Sequence, residues 1–301
     1  MNVVIKVNDE IKQKMIEYYK DKKRDKVIPY VVFQAEEEDT VITMYESGKV
    51  MFQGKSADVD AAMWGVALEN TKEKQEENKK NDEKYYNTNA VGSDEVGTGD
   101  YFGPIVVTAT YVKKEDIPYL ESLGVGDSKK IDDSKILKIA PEIAKRVKYR
   151  SIILSNKEYN EKYAKDINMN KIKAVLHNKV LTEMVKDNDY DYIVVDQFEP
   201  EKSYYNHLSD VPNPLKGITF ITKAEDKCLS VAVSSLISRY IFIKEMDKLG
   251  DKYGIFLPKG ANYYVEDVGI KLVNKYGEKI LHDIAKLNFS NTDRILKEVR
   301  K

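Results

Sequence analysis

Apolar and polar positions along this chain follow two periods, and the switches between them outline its elements. Residues 3–7 alternate with period two, as a strand does when one face is buried. Ile11, Met15, Tyr18 and Tyr19 then recur at helical spacing, behind Asn8 as a candidate N-cap with Asp9 and Glu10 in the first turn. Strands are expected over 29–35, 40–45 and 49–53, with Ser47-Gly48 turning the last two into a hairpin. Ser56 is placed to cap a helix over 57–68 that contains Trp64. The order β-α-β-β-β-α predicts a helix-backed antiparallel sheet. Tyr30, Phe33, Met44, Tyr45, Met51 and Phe52 lie on its strands. Period two lets only about half of them share one face. They serve either as core or as a docking face.

The pattern stops at residues 69–89, which are nearly all Lys, Glu, Asn, Gln and Asp, the composition of a solvated linker. The domains are therefore 1–68, a linker 69–89, and 90–301. In the last, Ile105 to Val112 reads as a buried strand, and a shorter strand precedes it. Asp132 or Ser134 can cap a helix through Lys135, Leu137 and Ile143. A short strand is expected at 151–154, an amphipathic helix at 172–185, a continuous apolar strand at Tyr192–Asp196, and another strand at 217–222. A long helix runs from Leu229 to about Leu249, its first turns rich in small residues: Ser230, Ala232, Ser234, Ser235 and Ser238. Helical patterns at 265–276 and 278–287 complete the chain. Buried strands alternating with helices predict an α/β sheet covered by helices.

Composition narrows the class. Of 301 residues, 42% are hydrophobic and 33% charged, which suits a water-soluble globular protein. No apolar run reaches membrane-spanning length. The opening Met-Asn-Val-Val-Ile-Lys-Val lacks a signal-peptide layout. The single Cys228 excludes an internal disulfide framework and a cysteine zinc site, so a cytoplasmic location is expected. The net charge of −1 is no nucleic-acid footprint by itself, although a local basic face can coexist with an acidic metal site.

The least ordinary stretch is Val91-Gly92-Ser93-Asp94-Glu95-Val96-Gly97-Thr98-Gly99-Asp100-Tyr101-Phe102-Gly103-Pro104. It carries four of the fifteen glycines beside two adjacent carboxylates. Neighbours on a regular strand face opposite ways, so both carboxylates serve one site only if the strand ends or bulges there. Alone, the pair reads as a solvated acidic hairpin. Asp196 ends a second strand, and Glu225-Asp226 follows a third. Strand ends are where open α/β sheets build their sites. Carboxylates crowded together raise one another's pKa, and divalent cations resolve the conflict. Oxygen-only donors select hard ions such as Mg²⁺ or Mn²⁺. Two such ions, roughly 4 Å apart, clamp the attacking and leaving oxygens of phosphoryl chemistry. No Walker loop, Gly-x-Ser-x-Gly elbow or His cluster offers a rival, so the residues point to metal-dependent phosphodiester hydrolysis.

The chain resembles the ribonuclease HIII family, within the type 2 ribonucleases H. The resemblance rests on the 92–104 stretch, Asp127-Ser128-Lys129-Lys130, residues 168–178, Val194-Val195-Asp196-Gln197-Phe198, and Lys223-Ala224-Glu225 into 235–240. It implies an α/β fold with an RNase H-like mixed sheet and flanking helices, plus a small N-terminal TBP-like (TATA-binding-protein-like) α+β domain that binds substrate. It implies endonucleolytic cleavage of the RNA strand of RNA–DNA hybrids, leaving 5′-phosphate and 3′-hydroxyl ends, by a monomer using two Mg²⁺ or Mn²⁺ ions.

By this resemblance Asp94, Glu95, Asp196 and Glu225 are the catalytic, metal-binding carboxylates, with Asp226 the alternative for the fourth. Gly97, Thr98 and Gly99 stand where ribonuclease HII enzymes carry Gly-Arg-Gly, and their backbone can meet 2′-hydroxyl groups. Ser128, Lys129 and Lys130 are candidate phosphate contacts. Lys171, Lys173, His177 and Asn178 are candidate substrate contacts, the alternative for His177 being a packed, hydrogen-bonded helix residue. The Lys-Gly-Tyr of ribonuclease HII corresponds to Lys259-Gly260-Ala261, without the ring. That favours cleavage within runs of ribonucleotides. The rival readings are incision at single embedded ribonucleotides and a non-catalytic hybrid-binding protein.

Overall fold

The computed structural model describes residues 2–7, 9–24, 30–64, 84–125, 131–163 and 167–301. Several expectations fall outside these: the Asn8 cap, the end of the 57–68 helix, most of the linker, and Ser128, Lys129 and Lys130. The chain divides into two compact units, Met1–Asn81 and Asp82–Lys301.

The first unit comprises β1 (Asn2–Lys6), α1 (Asp9–Tyr18), β2 (Val31–Glu37), β3 (Thr40–Tyr45), β4 (Lys49–Gly54) and α2 (Ala57–Met63). The antiparallel sheet has the order β1-β4-β3-β2. Alternation sorts its side chains. Phe33, Ala35, Ile42, Met44, Val50 and Phe52 pack with Met15, Tyr19, Ala57 and Ala61 into one core. Val4 and Val32 lie exposed on the other face, and Tyr30 is exposed before β2. The strand aromatics therefore divide between core and surface. Tyr18, expected on the apolar face of α1, is exposed. Ser56 does not cap α2 through its hydroxyl; its backbone N–H instead donates to the Asp39 carboxylate at 3.2 Å.

The second unit is built on β5 (Ala90–Val96), β6 (Ile105–Val112), β7 (Lys148–Leu154), β8 (Tyr192–Asp196) and β9 (Ile218–Ile221). The sheet order is β7-β6-β5-β8-β9. β5, β6 and β7 pair antiparallel, whereas β8 runs parallel to β5 and β9 parallel to β8. The C-terminal ends of β5, β8 and β9 therefore share one edge. The helices are α3 (Ile117–Ser122), α4 (Asp133–Arg146), α5 (Asn156–Lys162), α6 (Met169–Val185), α7 (Glu201–His207), α8 (Leu229–Tyr253), α9 (Tyr263–Tyr276), α10 (Ile280–Ile284) and α11 (Ser290–Val299). Asp132 rather than Ser134 caps α4, accepting from the Lys135 N–H at 2.8 Å.

Two helices cover the sheet. α6 lays Leu176, Val180, Leu181 and Met184 against Val91, Val107, Ile193 and Val195. On the other face the small residues of α8 explain themselves. A Cβ on Gly92 would stand 2.5 Å from Ser230 Oγ and 2.6 Å from Val231 N, so only glycine admits the helix this close. Ser234 Oγ donates to Gly92 O at 2.9 Å, Thr110 Oγ1 to Ser230 O at 2.8 Å, and Ser238 Oγ to Asp94 O at 3.2 Å. These bonds satisfy hydroxyls that burial would otherwise leave without water.

The C-terminus departs from expectation. The pattern over 278–287 predicts one helix, yet α10 ends at Ile284, Ala285 pairs as a β-bridge with Phe102, and α11 follows. Backbone bonds from Gly103 N to Ile284 O and from Lys286 N to Tyr101 O hold this segment extended against the glycine turn. Tertiary pairing has overridden helical periodicity there. α3, α5 and α7, each of six or seven residues, are too short for periodicity to reveal. Among the described residues no helix is long and apolar enough to cross a membrane.

Candidate active site

β5 carries the adjacent carboxylates in regular register. Asp94 lies opposite Thr108, Glu95 opposite Val107 and Val96 opposite Val106. The pair stands near the end of β5, which closes at Val96, without a bulge, and strand geometry sends the two side chains to opposite faces of the sheet. Asp94 faces α8, where the Ser235 hydroxyl bonds its carboxylate. Its Oδ1 also accepts the Glu95 N–H at 2.8 Å. Glu95 faces α6, and so does Ser93 two residues earlier.

On that face a polar relay is built into the core. Lys173 forms an ion pair with Glu95 Oε1. His177 Nε2 meets Glu95 Oε2 at 2.8 Å, and its Nδ1 meets Ser93 Oγ at 2.7 Å. A carboxylate can only accept, so Nε2 carries a hydrogen; in the neutral ring Nδ1 then accepts from Ser93. His177 is wholly buried, Lys173 and Asn178 nearly so. These three, candidates for substrate contact from sequence, are turned inward instead, and the packed reading of His177 holds. Lys171 is half-buried and pairs with Asp210 at 3.1 Å.

Electrostatics separate the two acids. Burial pushes the Asp94 carboxyl well above the usual carboxylate range, the charge of Glu95 pushes the same way, and Asp196 adds to it. Burial also pushes Glu95 up, but the hydrogen bond and charge of His177, with those of Lys173, outweigh it and hold Glu95 low. The acid with cationic neighbours stays ionised, and the one facing other carboxylates resists ionisation.

Asp196 closes β8 on the strand next to Asp94, since Ser93 pairs with Val195 one residue earlier. Its Oδ1 accepts the Ala224 N–H at 2.9 Å. That bond secures the short 3₁₀ turn Ala224–Asp226, entered through Lys223 in the left-handed region at φ 56°. Glu225 is half-buried there and Asp226 is exposed, which puts Glu225 on the inner side of the turn. Among the described residues no three His, Cys, Asp or Glu side chains are grouped to hold a metal ion as they stand. Both oxygens of Glu95 are engaged on the far face and one oxygen of Asp196 is engaged by backbone. The backbone thus gathers Asp94, Asp196 and Glu225 at one edge, and the side chains do not converge.

Beyond β5 the chain turns. Gly97 has φ 96°, and a Cβ there would stand 2.2 Å from Pro104 O. Gly99 is exposed, with nothing within 4 Å of where its Cβ would lie. Tyr101 N–H donates to Gly260 O at 2.9 Å, and Gly260 N–H donates to Asp100 Oδ1 at 2.6 Å. The Lys259-Gly260-Ala261 segment therefore borders the turn directly. From behind, the wholly buried Lys286 donates through Nζ to Asp100 O at 2.8 Å and Gly103 O at 2.6 Å. Sequence reasoning passed over Ser235 and Lys286 as site residues. A usable signal for Lys173 and His177 was a cation and an imidazole one turn apart on the inward stripe of α6.

A family model described as "Ribonuclease HII" matches residues 91–292, and one described as "Domain of unknown function (DUF3378)" matches residues 2–77. The chain is 40% identical over 301 residues to the ribonuclease HIII of Bacillus licheniformis, covering 97% of this chain and 96% of that one. It is 41% identical over 272 residues to the ribonuclease HIII of Bacillus subtilis, covering 87% of each. The crystal structure of Bst-RNase HIII in complex with Mn²⁺ superposes with a TM-score of 0.71 at 34% identity, covering 100% of both chains. The acidic edge formed by β5, β8 and the Ala224–Asp226 turn thus lies in a chain that belongs to the ribonuclease HIII family.

Proposed function

We propose that this chain is an endoribonuclease that hydrolyses the RNA strand of RNA–DNA hybrids, leaving 5′-phosphate and 3′-hydroxyl ends. The observation that carries the reading is the placement of Asp94 beside Asp196, at the shared ends of two parallel strands, with Glu225 following β9. The rise in the Asp94 carboxyl, driven by burial and by the neighbouring acids, is the conflict that a bound dication relieves. The donors are all oxygen, which fits Mg²⁺ or Mn²⁺. Asp94, Asp196 and Glu225, with Glu95, would hold two such ions, which activate a water and stabilise the leaving oxygen when bound.

The chain's own residues supply the rest. Asp94 is fixed by Ser235, and Asp196 is fixed by the Ala224 N–H. The Gly97-Thr98-Gly99 turn, exposed at Gly99, is assigned to offer backbone N–H groups to 2′-hydroxyls, the atoms that distinguish RNA. Ala261 provides no ring at the segment bordering this turn, which favours runs of ribonucleotides over single embedded ones. Ser128, Lys129 and Lys130 are assigned to phosphate contact. Residues 1–68 are assigned to grip the duplex, with 69–89 as linker and 90–301 as the catalytic part. The reading includes a cytoplasmic monomer.

Asp94→Asn tests the core of this reading. It is expected to abolish hybrid cleavage with the circular dichroism spectrum unchanged, and retained turnover overturns the assignment. A duplex with one ribonucleotide, run beside a hybrid with a long RNA stretch, tests the substrate preference. Cleavage of the long stretch alone is expected, and chelator should stop it.

A further inference from the structure

The cation on the far side of Glu95 calls for its own physical account. Burying a lysine ammonium is costly unless it is paired, and α6 could carry any apolar residue at this position. Lys173 is 8% exposed and pairs with Glu95 Oε1. Its Nζ sits 3.9 Å from the centroid of the Phe198 ring, two residues beyond Asp196. The same ring stacks on His177 at 5.7 Å and 27°. A desolvated cation over an aromatic face gains further stabilisation. His177 holds Glu95 through the other oxygen. The charges of both residues act on the carboxylate, and Lys173 adds a permanent ammonium on Oε1, seated over the Phe198 ring.

We propose that Lys173 is a resident counter-cation of the carboxylate site, enclosed by Phe198 and competing through Glu95 with the divalent ions that the site binds. This rests on the metal-dependent hydrolysis proposed above and deepens it. Lys173 is a positioning residue in this scheme. Its ammonium neutralises part of the acidic edge before any dication arrives and holds the oxygen that a dication would seek. Divalent binding is weakened as a result, and the acidic edge folds without depending on metal. Removing the ammonium should make the site bind metal more tightly, an outcome that a merely damaged fold does not give.

The test uses the full chain freed of metal by chelator. Mn²⁺ is titrated calorimetrically into the wild type, Lys173→Gln, Lys173→Met and Lys173→Arg, and thermal melts are run with and without Mn²⁺. Lys173→Gln keeps an N–H donor toward Glu95 and drops the charge. It is expected to bind Mn²⁺ about tenfold more tightly, equivalent to ~1.4 kcal/mol. It should melt lower than wild type without metal and gain more from Mn²⁺. Lys173→Arg keeps the charge and should restore wild-type affinity. If Lys173→Met does not fold, Lys173→Gln decides alone. Unchanged or weaker Mn²⁺ binding by Lys173→Gln in a folded protein overturns the inference and leaves the hydrolase reading standing. If the wild type neither binds Mn²⁺ nor cleaves hybrid, the hydrolase reading itself falls, and this inference with it.

Discussion

Lys286 offers the sharpest quantitative handle on the second unit. It is fully buried, and its Nζ donates to the carbonyls of Asp100 and Gly103 that end the glycine turn. Burial lowers its pKa from 10.5 to about 7, against a smaller opposing pull from Asp100. In the unfolded chain the lysine returns to its ordinary value. Below about pH 7 both states carry the proton, and the folded state bears the full cost of the buried charge. Between about 7 and 10.5 the unfolded state holds a proton that the folded state lacks, so stability climbs with pH. Above that range the cost is gone. The gap corresponds to roughly 5 kcal/mol in total, released at about 1.4 kcal/mol per pH unit. Lys286→Met keeps an unbranched side chain, one atom shorter, and removes the titration. Urea unfolding of both proteins at pH 7.5 and pH 9.5 isolates Lys286, because every other group cancels in the difference. The advantage of wild type over Lys286→Met should grow by roughly 2–3 kcal/mol between those pH values. A difference flat to within about 0.5 kcal/mol would falsify the view that a buried, proton-shedding amine holds the turn.

Other outcomes are expected. His177→Ala strips Glu95 and Ser93 of their shared partner, and steady-state kinetics on a hybrid should show kcat/KM falling about 10–100-fold. Gly92→Ala forces a methyl into the 2.5 Å approach of Ser230. It should cost about 1–3 kcal/mol, seen as a Tm lower by roughly 2–12 °C. Deleting residues 1–68 should raise KM for the hybrid far more than it lowers kcat, and equal binding with and without them would remove their assigned role. Raising salt should weaken hybrid binding along a straight line in log Kd against log salt.

Much of this protein was legible in its sequence because periodicity is a local property. The β-α-β-β-β-α order of the first unit, the buried β6 and the apolar β8 ending in Asp196 all follow from the alternation or the continuous apolar run that each segment displays alone. So did the gathering of acids at strand ends, since Asp94, Asp196 and Glu225 each close or follow an apolar run. The small residues of α8 stood out in the sequence, but not the partner strand that they let the helix approach. Gly92 supplies that partner from 138 positions before Ser230, and no pattern spans such a gap.

What tertiary structure alone decided was direction and pairing. Sequence placed Asp94 and Glu95 side by side and left open whether they act together. The unbroken register of β5 with β6 sends them to opposite faces, one toward Ser235 and the other toward Lys173 and His177. A helix that periodicity would have run through residues 278–287 ends at Ile284, because the following backbone bonds to the glycine turn. Local pattern determines which residues can be buried. Only packing determines which charges meet once they are, because the energy of a buried charge depends on partners that are remote in sequence.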